Sequence, residues 1–374
     1  MYTYARRLSS ACGHRDNSLL IRRMLYSTFQ EGVRILAGMS KRISPPSAHD
    51  VARLAGVSQA AVSRAFTPGA SIATDTQNKV FRAAKSLGYR PNLIASSLNK
   101  GKSGIVGVIF GGNPRNPFFL AALYALLARL SRAGKHILIF TVDSHANADA
   151  HAEELLKYRV DALLLMATSL SSKLAEQCYD EGVPILFFNR RPPKAKGFSS
   201  VAENNSKGGR QIAEHLLSQG YKRLALIAGA AESSTARERE SGFTTYLKSH
   251  GLAVPEREVG HFHREGALHA ARQLLSRKPR PEAIFCINDY MALAAIEVAR
   301  YEFGLEIGRE IGIAGFDDID EASWPSFDLT TYSVSTERII DAVVAFLLNT
   351  PRQKNPLHTV IDGVLKPRRS TQRR

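Results

Sequence analysis

Seven apolar stretches, each followed by a segment of helix length, run through the middle of the chain and restrict its fold more than any other feature. They are rich in Val, Ile and Leu, as expected for strands buried on both faces. Helical segments such as 119–133, 206–219 and 290–303 separate them. Strands alternating with helices predict parallel sheets covered on both sides, and this many strands over about 260 residues predict two α/β lobes. The stretches are Ile105–Phe110, Ile137–Val142, Ala162–Met166, Pro184–Phe188, Leu224–Ala228, Ala283–Ile287 and Ile311–Phe316.

Residues 47–90 carry a different pattern, in which helix-starting and helix-ending signals follow one another at short intervals. Ser47 and Asp50 have the spacing of a capping box at the start of a first helix, and Gly56 suits the left-handed residue that ends it. Ser58 can cap a second helix that runs from Gln59 to about position 66. The segment is therefore predicted to contain two short helices joined by a tight turn.

A third helix is predicted to brace the first two. Thr74 and Gln77 repeat the capping-box spacing, and Gly88 can close the helix. Its predicted apolar face consists of Val80, Ala83, Ala84 and Leu87.

The second of these helices has one inward side and one outward side. Ala61, Val62 and Ala65 can pack inward, which leaves Gln59, Ala60 and Arg64 facing outward. Such a helix fits the major groove of DNA, where Gln pairs with adenine and Arg with guanine. An ordinary helical hairpin with the same caps is the alternative.

The net charge of +16 is concentrated where this helical segment lies. Residues 1–104 contain 16 Lys and Arg against 4 Asp and Glu, whereas residues 105–365 contain 29 against 30. The last nine residues add five bases. A polyanion such as DNA is therefore expected to bind the N-terminal quarter and the tail.

Residues 1–46 are poor in acidic residues and lack a regular apolar pattern, so we predict a disordered basic extension. Three interpretations are open. The segment is a basic arm that adds DNA affinity, an organelle transit peptide, or a stretch upstream of a true start at Met39.

Several motifs, in order along residues 47–371, make the chain similar to the lac repressor (LacI/GalR) family of transcriptional regulators. The resemblance implies a helix-turn-helix DNA-binding domain, a hinge helix, and a two-lobed core of parallel sheets like that of periplasmic binding proteins. The motifs are Asp50-Val-Ala-Arg-Leu-Ala-Gly-Val-Ser-Gln-Ala-Ala-Val-Ser-Arg64, Leu87-Gly-Tyr-Arg-Pro-Asn92, Ala95-Ser-Ser-Leu98, Asn116-Pro-Phe-Phe119, Asn288-Asp-Tyr-Met-Ala-Leu293, Gly315-Phe-Asp-Asp318, Leu329-Thr-Thr331 and Arg369-Ser-Thr371.

The resemblance also implies a homodimer whose second helices read a pseudo-palindromic operator. Leu98 matches the hinge leucine that family members insert between central base pairs, an insertion that kinks DNA. Packing within the hinge helix is the alternative role of Leu98. The positions expected to contact DNA are Ser58, Gln59, Ala60, Ser63, Arg64, Asn92, Ala95 and Leu98.

The chain departs from the family pattern at five positions near the DNA-binding helix and hinge. The usual residues there are Thr, Asn, a capping Ser, Arg and Arg, and their loss removes phosphate contacts. The operator sequence is therefore left open. The substituted positions hold Ala61, Thr67, Ala73, Gln77 and Ser96.

In the core, ligands of open parallel sheets bind beyond the carboxyl ends of the strands. Polar residues gather at those predicted ends: Asn189-Arg190, Arg237, Arg239, Asn288-Asp289 and Asp317-Asp318. By matching motifs, the resemblance assigns effector contacts to Phe262, Arg239, Asn288 and Asp317.

The chemistry of these four residues suits a hydroxylated ring, because donors and acceptors satisfy hydroxyls while an aromatic side chain stacks on the apolar face. A sugar or sugar derivative is the first expectation, and a purine or other metabolite the second. A salt bridge between the lobes is the alternative for Arg239 and Asp317, and core packing for Phe262.

Enzyme and metal chemistry lack the residues they need. Cys12, Cys178 and Cys286 are far apart, which disfavours disulfides and zinc. His261 and His263 alternate without a third ligand nearby in sequence. No enzyme activity, cofactor or metal is expected, and no apolar run is long enough to span a membrane or act as a secretion signal. A cytoplasmic location fits best.

We predict four regions: an extension at 1–46, a DNA-binding domain at 47–90, a hinge at 91–104 and a core at 105–371. The lobes are predicted to comprise 105–203 plus 334–348, and 204–333 plus 349–371. The expected function is an effector-controlled transcriptional regulator, most simply a repressor, with inducer and co-repressor modes both open. A solute-binding protein for a sugar-like ligand is the alternative, which explains the core but not the helical segment.

Overall fold

The computed structural model describes residues 45–67, 69–91, 102–142, 148–191, 198–349 and 356–373. The described residues form two compact units, with the division between positions 96 and 97. The predicted extension at 1–46 lies outside this description apart from its last two residues, and most of the predicted hinge lies outside it. Within the described ranges, no helix has both the length and the apolar character that crossing a membrane requires.

The smaller unit is a bundle of three helices: α1 Ala48–Ala55, α2 Gln59–Ala65 and α3 Thr74–Leu87. Ser47 and Asp50 form the predicted capping box, and Gly56 ends α1 at φ 65°. The Ser58 hydroxyl accepts a hydrogen bond from the Ala61 amide at 3.2 Å and so caps α2. The core of the unit consists of Val51, Ala52, Val62, Ala65, Val80, Ala83 and Ala84.

Two predictions for α3 are wrong. Ala73 precedes the helix, and no side chain caps its start, so Thr74 is the first helical residue and not a cap. The Gln77 side chain donates instead to the Ala65 carbonyl oxygen at 3.3 Å, which ties α3 to α2. Leu87 is 36% exposed and lies outside the buried face of α3.

The first lobe of the larger unit contains a six-stranded parallel sheet within the described residues. Its spatial order is β11-β5-β4-β3-β1-β2. The strands are β1 Ile105–Phe110, β2 His136–Thr141, β3 Ala162–Met166, β4 Ile185–Phe188, β5 Phe198–Glu203 and β11 His358–Ile361. The helices are α4 Pro117–Arg132, α5 Asp149–Lys157, α6 Ser172–Asp180 and α11 Thr336–Asn349, the last packed on α4 and β5.

The second lobe has a sheet of the order β12-β10-β9-β8-β6-β7, parallel except for β12. The strands are β6 Leu224–Ala228, β7 Glu256–Val259, β8 Ala283–Cys286, β9 Gly312–Phe316, β10 Thr330–Ser333 and β12 Val364–Lys366. The helices are α7 Asn205–Ser218, α8 Ser234–Ser249, α9 Arg264–Leu275 and α10 Asp289–Glu297, which continues as a π-helix at Val298–Glu302.

All seven predicted strands are present with ends shifted by one residue at most, which confirms the two α/β lobes. The boundary drawn near the end of the chain is wrong. Residues 349–371 were assigned to the second lobe, but β11 pairs with β5 of the first lobe, and only β12 joins the second. The chain thus passes between the lobes after β5, before α11, and between β11 and β12.

Candidate DNA-reading surface and effector cleft

The outward side of α2 carries the predicted DNA-contacting residues of the helical unit. Ala61, Val62 and Ala65 are buried against α1 and α3. This packing leaves a continuous exposed surface, made by Ser58, Gln59, Ala60, Ser63 and Arg64. Among the described residues, Gln59 and Arg64 have no side-chain hydrogen bond or ion pair, so both can bond a base edge. The other three predicted contacts, Asn92, Ala95 and Leu98, lie outside the described residues.

A cleft between the two lobes holds all four predicted effector contacts. Phe262, Arg239, Asn288 and Asp317 line a space of about 700 Å³ that is partly open to solvent. Each wall is made by segments that follow the carboxyl ends of strands, as the geometry of parallel sheets requires. The first lobe contributes Gly111, Gly112, Asn113, Asn116, Phe118, Phe119, Ala167, Phe188, Asn189 and Arg190, and the second Ser233, Thr235, His261 and His263 as well.

Arg239 is the central charged group of the cleft and is 2% exposed. Its Nη2 lies 2.9 Å from Glu203 Oε2 and 2.9 Å from Asp317 Oδ1. Nε donates to Asn205 Oδ1 at 2.9 Å and Nη1 to the Ile287 carbonyl oxygen at 2.7 Å. Three of the five N–H groups thus donate hydrogen bonds, to Asn205, Ile287 and Glu203, while Asp317 contributes an ion pair. Arg239 therefore links the end of β5 to the second lobe as much as it faces a ligand.

Two glycines bring α7 and α8 close enough for this network. A Cβ at Gly209 would lie 2.1 Å from the Arg239 carbonyl oxygen, and one at Gly242 would lie 2.0 Å from the Ser206 carbonyl oxygen. Any larger residue would separate the two helices. The guanidinium also lies 3.5 Å from the centroid of the Phe316 ring, which closes its other face.

The remaining predicted contacts are held by local structure. Asn288 is 1% exposed, and its Oδ1 caps α10 by accepting from the Met291 amide at 3.0 Å. The Phe262 carbonyl oxygen accepts from Asn113 Nδ2 at 3.3 Å, a contact that joins the lobes across the cleft. The Phe262 ring is half-buried, packs against the core of the second lobe and also lines the cleft, so it combines core packing with exposure to the site.

Backbone strain is concentrated at this site. Five cleft residues other than glycine have positive φ values: Ala167, Asn189, His261, Phe262 and Asp317, the last at 115°. Such conformations cost about 1–3 kcal/mol each and persist where the surrounding structure fixes them, which is typical of binding sites.

Carboxyl groups outnumber guanidinium groups in the buried network. Burial raises the pKa of Asp289 to about 8, because its partners are the Thr331 hydroxyl at 2.7 Å and the Ile319 amide at 3.1 Å, both neutral. Burial also raises the pKa of Glu203 and of Asp317, since one guanidinium faces both. The folded core therefore favours the protonated form of these buried carboxyl groups.

Two residues that the strand-end rule placed in the site, Arg237 and Asp318, lie outside its lining. Arg237 is exposed and bonds the Ala231 carbonyl oxygen at 2.6 Å. Asp318 pairs with Arg368 at 2.6 Å and with Lys366. Conversely, Asn113, Phe119, Ser233 and Thr235 line the cleft but were not predicted to. The described residues contain no group of three His, Cys, Asp or Glu side chains arranged to hold a metal ion.

Comparison with known protein families finds two matches. Residues 47–92 match the model of "Bacterial regulatory proteins, lacI family", and residues 103–339 match "Periplasmic binding proteins and sugar binding domain of LacI family".

Curated relatives agree with both matches. The chain is 31% identical to the ribose operon repressor of Escherichia coli K12 over 306 residues, 80% of this chain and 91% of that one. It is 29% identical to the transcriptional repressor PurR of Photobacterium profundum over 309 residues, 82% of this chain and 92% of that one.

Among solved structures, the lac repressor dimer bound to operator and the anti-inducer ONPF has a TM-score of 0.76 at 26% identity, covering 88% of this chain and 99% of that one. The complex of the transcriptional regulator CelR with cellobiose has a TM-score of 0.62 at 26% identity, covering 87% and 99%.

Proposed function

The chain belongs to the lacI family of bacterial regulatory proteins, and we propose on that basis that it is a dimeric repressor that reads its operator through α2. A ligand in the cleft would either release the operator or strengthen its binding. As a family member it is a DNA-binding transcriptional regulator and not an enzyme. Its DNA contacts, effector and assembly are the proposed part. The cytoplasm is the compartment where such a regulator meets DNA.

The exposed surface of α2 is the observation that carries the DNA-reading proposal. Gln59 and Arg64 are held on a helix whose other side is packed, so their position is fixed before DNA binds. Bidentate contacts from Gln to adenine and from Arg to guanine are worth about 1–3 kcal/mol each in base discrimination. The proposal includes Asn92, Ala95 and Leu98 as hinge contacts in the minor groove, and only the resemblance to the family supports these three.

For the effector we propose a sugar or sugar derivative. Phe119 and Phe262 line the cleft from opposite lobes, and Asn288 and Asp317 offer polar groups between them. This arrangement suits a ring with apolar faces and a hydroxylated edge. The name of one relative, the ribose operon repressor, refers to a sugar. A purine ring, the second expectation, would suit the same two aromatic side chains.

The first lobe offers a surface for the proposed homodimer. Leu120 and Tyr124 of α4 are 48% and 66% exposed, and Ile139 of the edge strand β2 is 37% exposed. Adjacent exposed apolar side chains of this kind mark protein interfaces. The lac repressor structure that the chain resembles is a dimer.

The test is selection of bound duplexes from a random pool by protein starting at Met39, with and without a panel of sugars and nucleobases. We expect a palindromic consensus that Leu98→Ala weakens and one ligand alters. Binding without any preferred sequence would contradict the α2 proposal. Ligand binding without any specific DNA binding would favour the solute-binding alternative.

A further inference from the structure

Arg190 is a half-buried cation in the cleft that forms no ion pair within the described part of the chain, although the Glu232 carboxylate lies near enough to favour its charge. It follows the end of β4 directly after Asn189 and lines the cleft. It also lines a neighbouring basin between the same lobes, with Arg191, Arg237 and Glu238. Its guanidinium makes no ion pair and no hydrogen bond with any residue in the described part of the chain, although it is only partly exposed.

The other arginines at this edge of the lobes are all occupied. Arg191 pairs with Glu238 at 2.5 Å. Arg237 donates to the Ala231 carbonyl oxygen at 2.6 Å, and Arg239 is paired with Glu203 and Asp317. Glu232 lines the same basin but forms no ion pair with Arg190. The unused donors of Arg190 are therefore a specific feature of this position.

The surroundings of Arg190 disfavour its positive charge. Burial, and then the neighbouring positive charge of Arg237, lower its pKa from the ordinary arginine value. A guanidinium that has lost part of its water without gaining a partner is destabilised, and an anion that approaches it restores the lost interactions. Its planar set of donors matches the two oxygens of a carboxylate or a phosphoryl group.

We propose that the effector carries an anionic group, a carboxylate or a phosphoryl group, that binds Arg190, while its ring lies near Phe262 and Asn288. The ligand class is thus a hydroxylated ring acid or a sugar phosphate. This inference rests on the proposed effector role of the cleft. Asp317 does not oppose it, because its carboxylate faces Arg239 on the second lobe.

The test compares three pentose-derived ring ligands by calorimetry on the full chain: D-ribose, D-ribofuranuronate, which carries a carboxylate at C5, and D-ribose 5-phosphate. We expect at least one anionic ligand to bind about 10-fold or more tightly than D-ribose, with the two acids distinguishing carboxylate from phosphate recognition. Arg190→Gln should reduce the affinity for that anion by about 10- to 100-fold and the affinity for D-ribose by at least about 5-fold less than that. The matched variant Arg191→Gln, whose guanidinium already has a partner, should leave both within about 3-fold.

Inorganic phosphate provides a probe that does not depend on the ring. It should raise the melting temperature of the wild type more than that of Arg190→Gln, and equal shifts in the two proteins overturn the inference. Equal affinity for neutral and anionic pentoses, or an equal loss of all ligands in Arg190→Gln, also overturns it. Operator binding that responds to a neutral ligand would then leave the proposed function intact, whereas loss of specific operator binding in the wild type contradicts the proposed function itself.

Discussion

The two functional surfaces differ in how their side chains are held. On α2, Gln59 and Arg64 are exposed without partners in the described residues, and only the backbone position of the helix is fixed. In the cleft, Arg239 and Asn288 are buried and bonded to groups far away in sequence. The α2 surface leaves its polar side chains in water until DNA binds, whereas the cleft satisfies most of its buried polar atoms within the protein and leaves Glu203 Oε1 and Asp317 Oδ1 without a hydrogen bond in the described residues.

The largest expected effect is loss of Arg239. Arg239→Ala leaves Glu203 and Asp317 buried without a cation, and breaking such a network costs about 3–5 kcal/mol. Urea unfolding of the full chain should show this loss together with loss of effector binding. Arg237→Ala, at an exposed position two residues before Arg239 on the same helix, should cost less than about 1 kcal/mol. Equal costs for the two variants would mean that the cleft is not more tightly compensated than the surface.

The next effect belongs to α2. Gln59→Ala and Arg64→Ala should each weaken operator binding by about 1–3 kcal/mol and relax the preference for one base, with unfolding unchanged. Lys85→Ala, on the exposed side of α3, is the control. Any weakening that it causes should be small and equal for all DNA sequences. A competition assay with single-base operator variants separates these outcomes. A loss of folding stability in Arg64→Ala would contradict the conclusion that the Arg64 side chain has no partner within the described residues.

A pH dependence should appear in the core and not in the helical unit. The pKa of Asp289 lies well above that of an unfolded aspartate, so the folded core binds the extra proton between about pH 4 and pH 8. The stability that this proton contributes is full at the acidic end and is lost as pH rises through about 8. We expect a fall of roughly 2 kcal/mol between pH 6 and pH 8 from this group.

Denaturant unfolding at several pH values measures this slope. Asp289→Asn should reduce this slope while the fold is kept, because its amide retains one acceptor and can donate to the Thr331 hydroxyl. The slope that remains belongs to Glu203 and Asp317, whose pKa values are also raised by burial. Asp180→Asn, at an exposed position on α6, should leave the slope unchanged. An unchanged slope in Asp289→Asn would assign the pH dependence to another group.

The smallest effect concerns the caps of the helical unit. Ser47→Ala removes the capping box and should lower the opening free energy of α1 by about 0.5–2 kcal/mol. Thr74→Ala, where no cap exists, should change α3 by a few tenths of a kcal/mol at most. Native-state hydrogen exchange of the full chain reports both helices separately. A larger effect at Thr74 would mean that its hydroxyl caps α3 after all.

Local signals allowed the helical unit to be predicted almost completely. Ser47, Gly56 and Ser58 act within four residues of their own positions, so the sequence specifies their partners. The failure at Thr74 has a tertiary cause, because Gln77 bonds Ala65, twelve positions away, instead of the start of its own helix. Sequence spacing alone does not show whether a polar side chain bonds the start of its own helix or a neighbouring helix.

The cleft was only half predictable for the same reason. Asn288 and Asp317 directly follow strands, so the strand-end rule and the resemblance both pointed to them. Asn113 and Ser233 lie several residues past their strands, and no signal fixed the direction of those loops. The positive φ value of Phe262 occurs at a bulky residue that rarely adopts it, so the sequence did not indicate the turn that directs its ring. The short edge strands β11 and β12 lack an apolar run and were missed for that reason.

The crossing of the chain between lobes near its end has a consequence for biosynthesis. Strand β11 forms one edge of the first sheet and β12 one edge of the second, and only two residues separate the two strands. A ribosome must therefore translate nearly the whole core before either sheet can acquire its last strand. Because neighbouring codons encode β11 and β12, a premature stop or a frameshift beyond α11 removes the last strand from both lobes, although most of each lobe has already been translated.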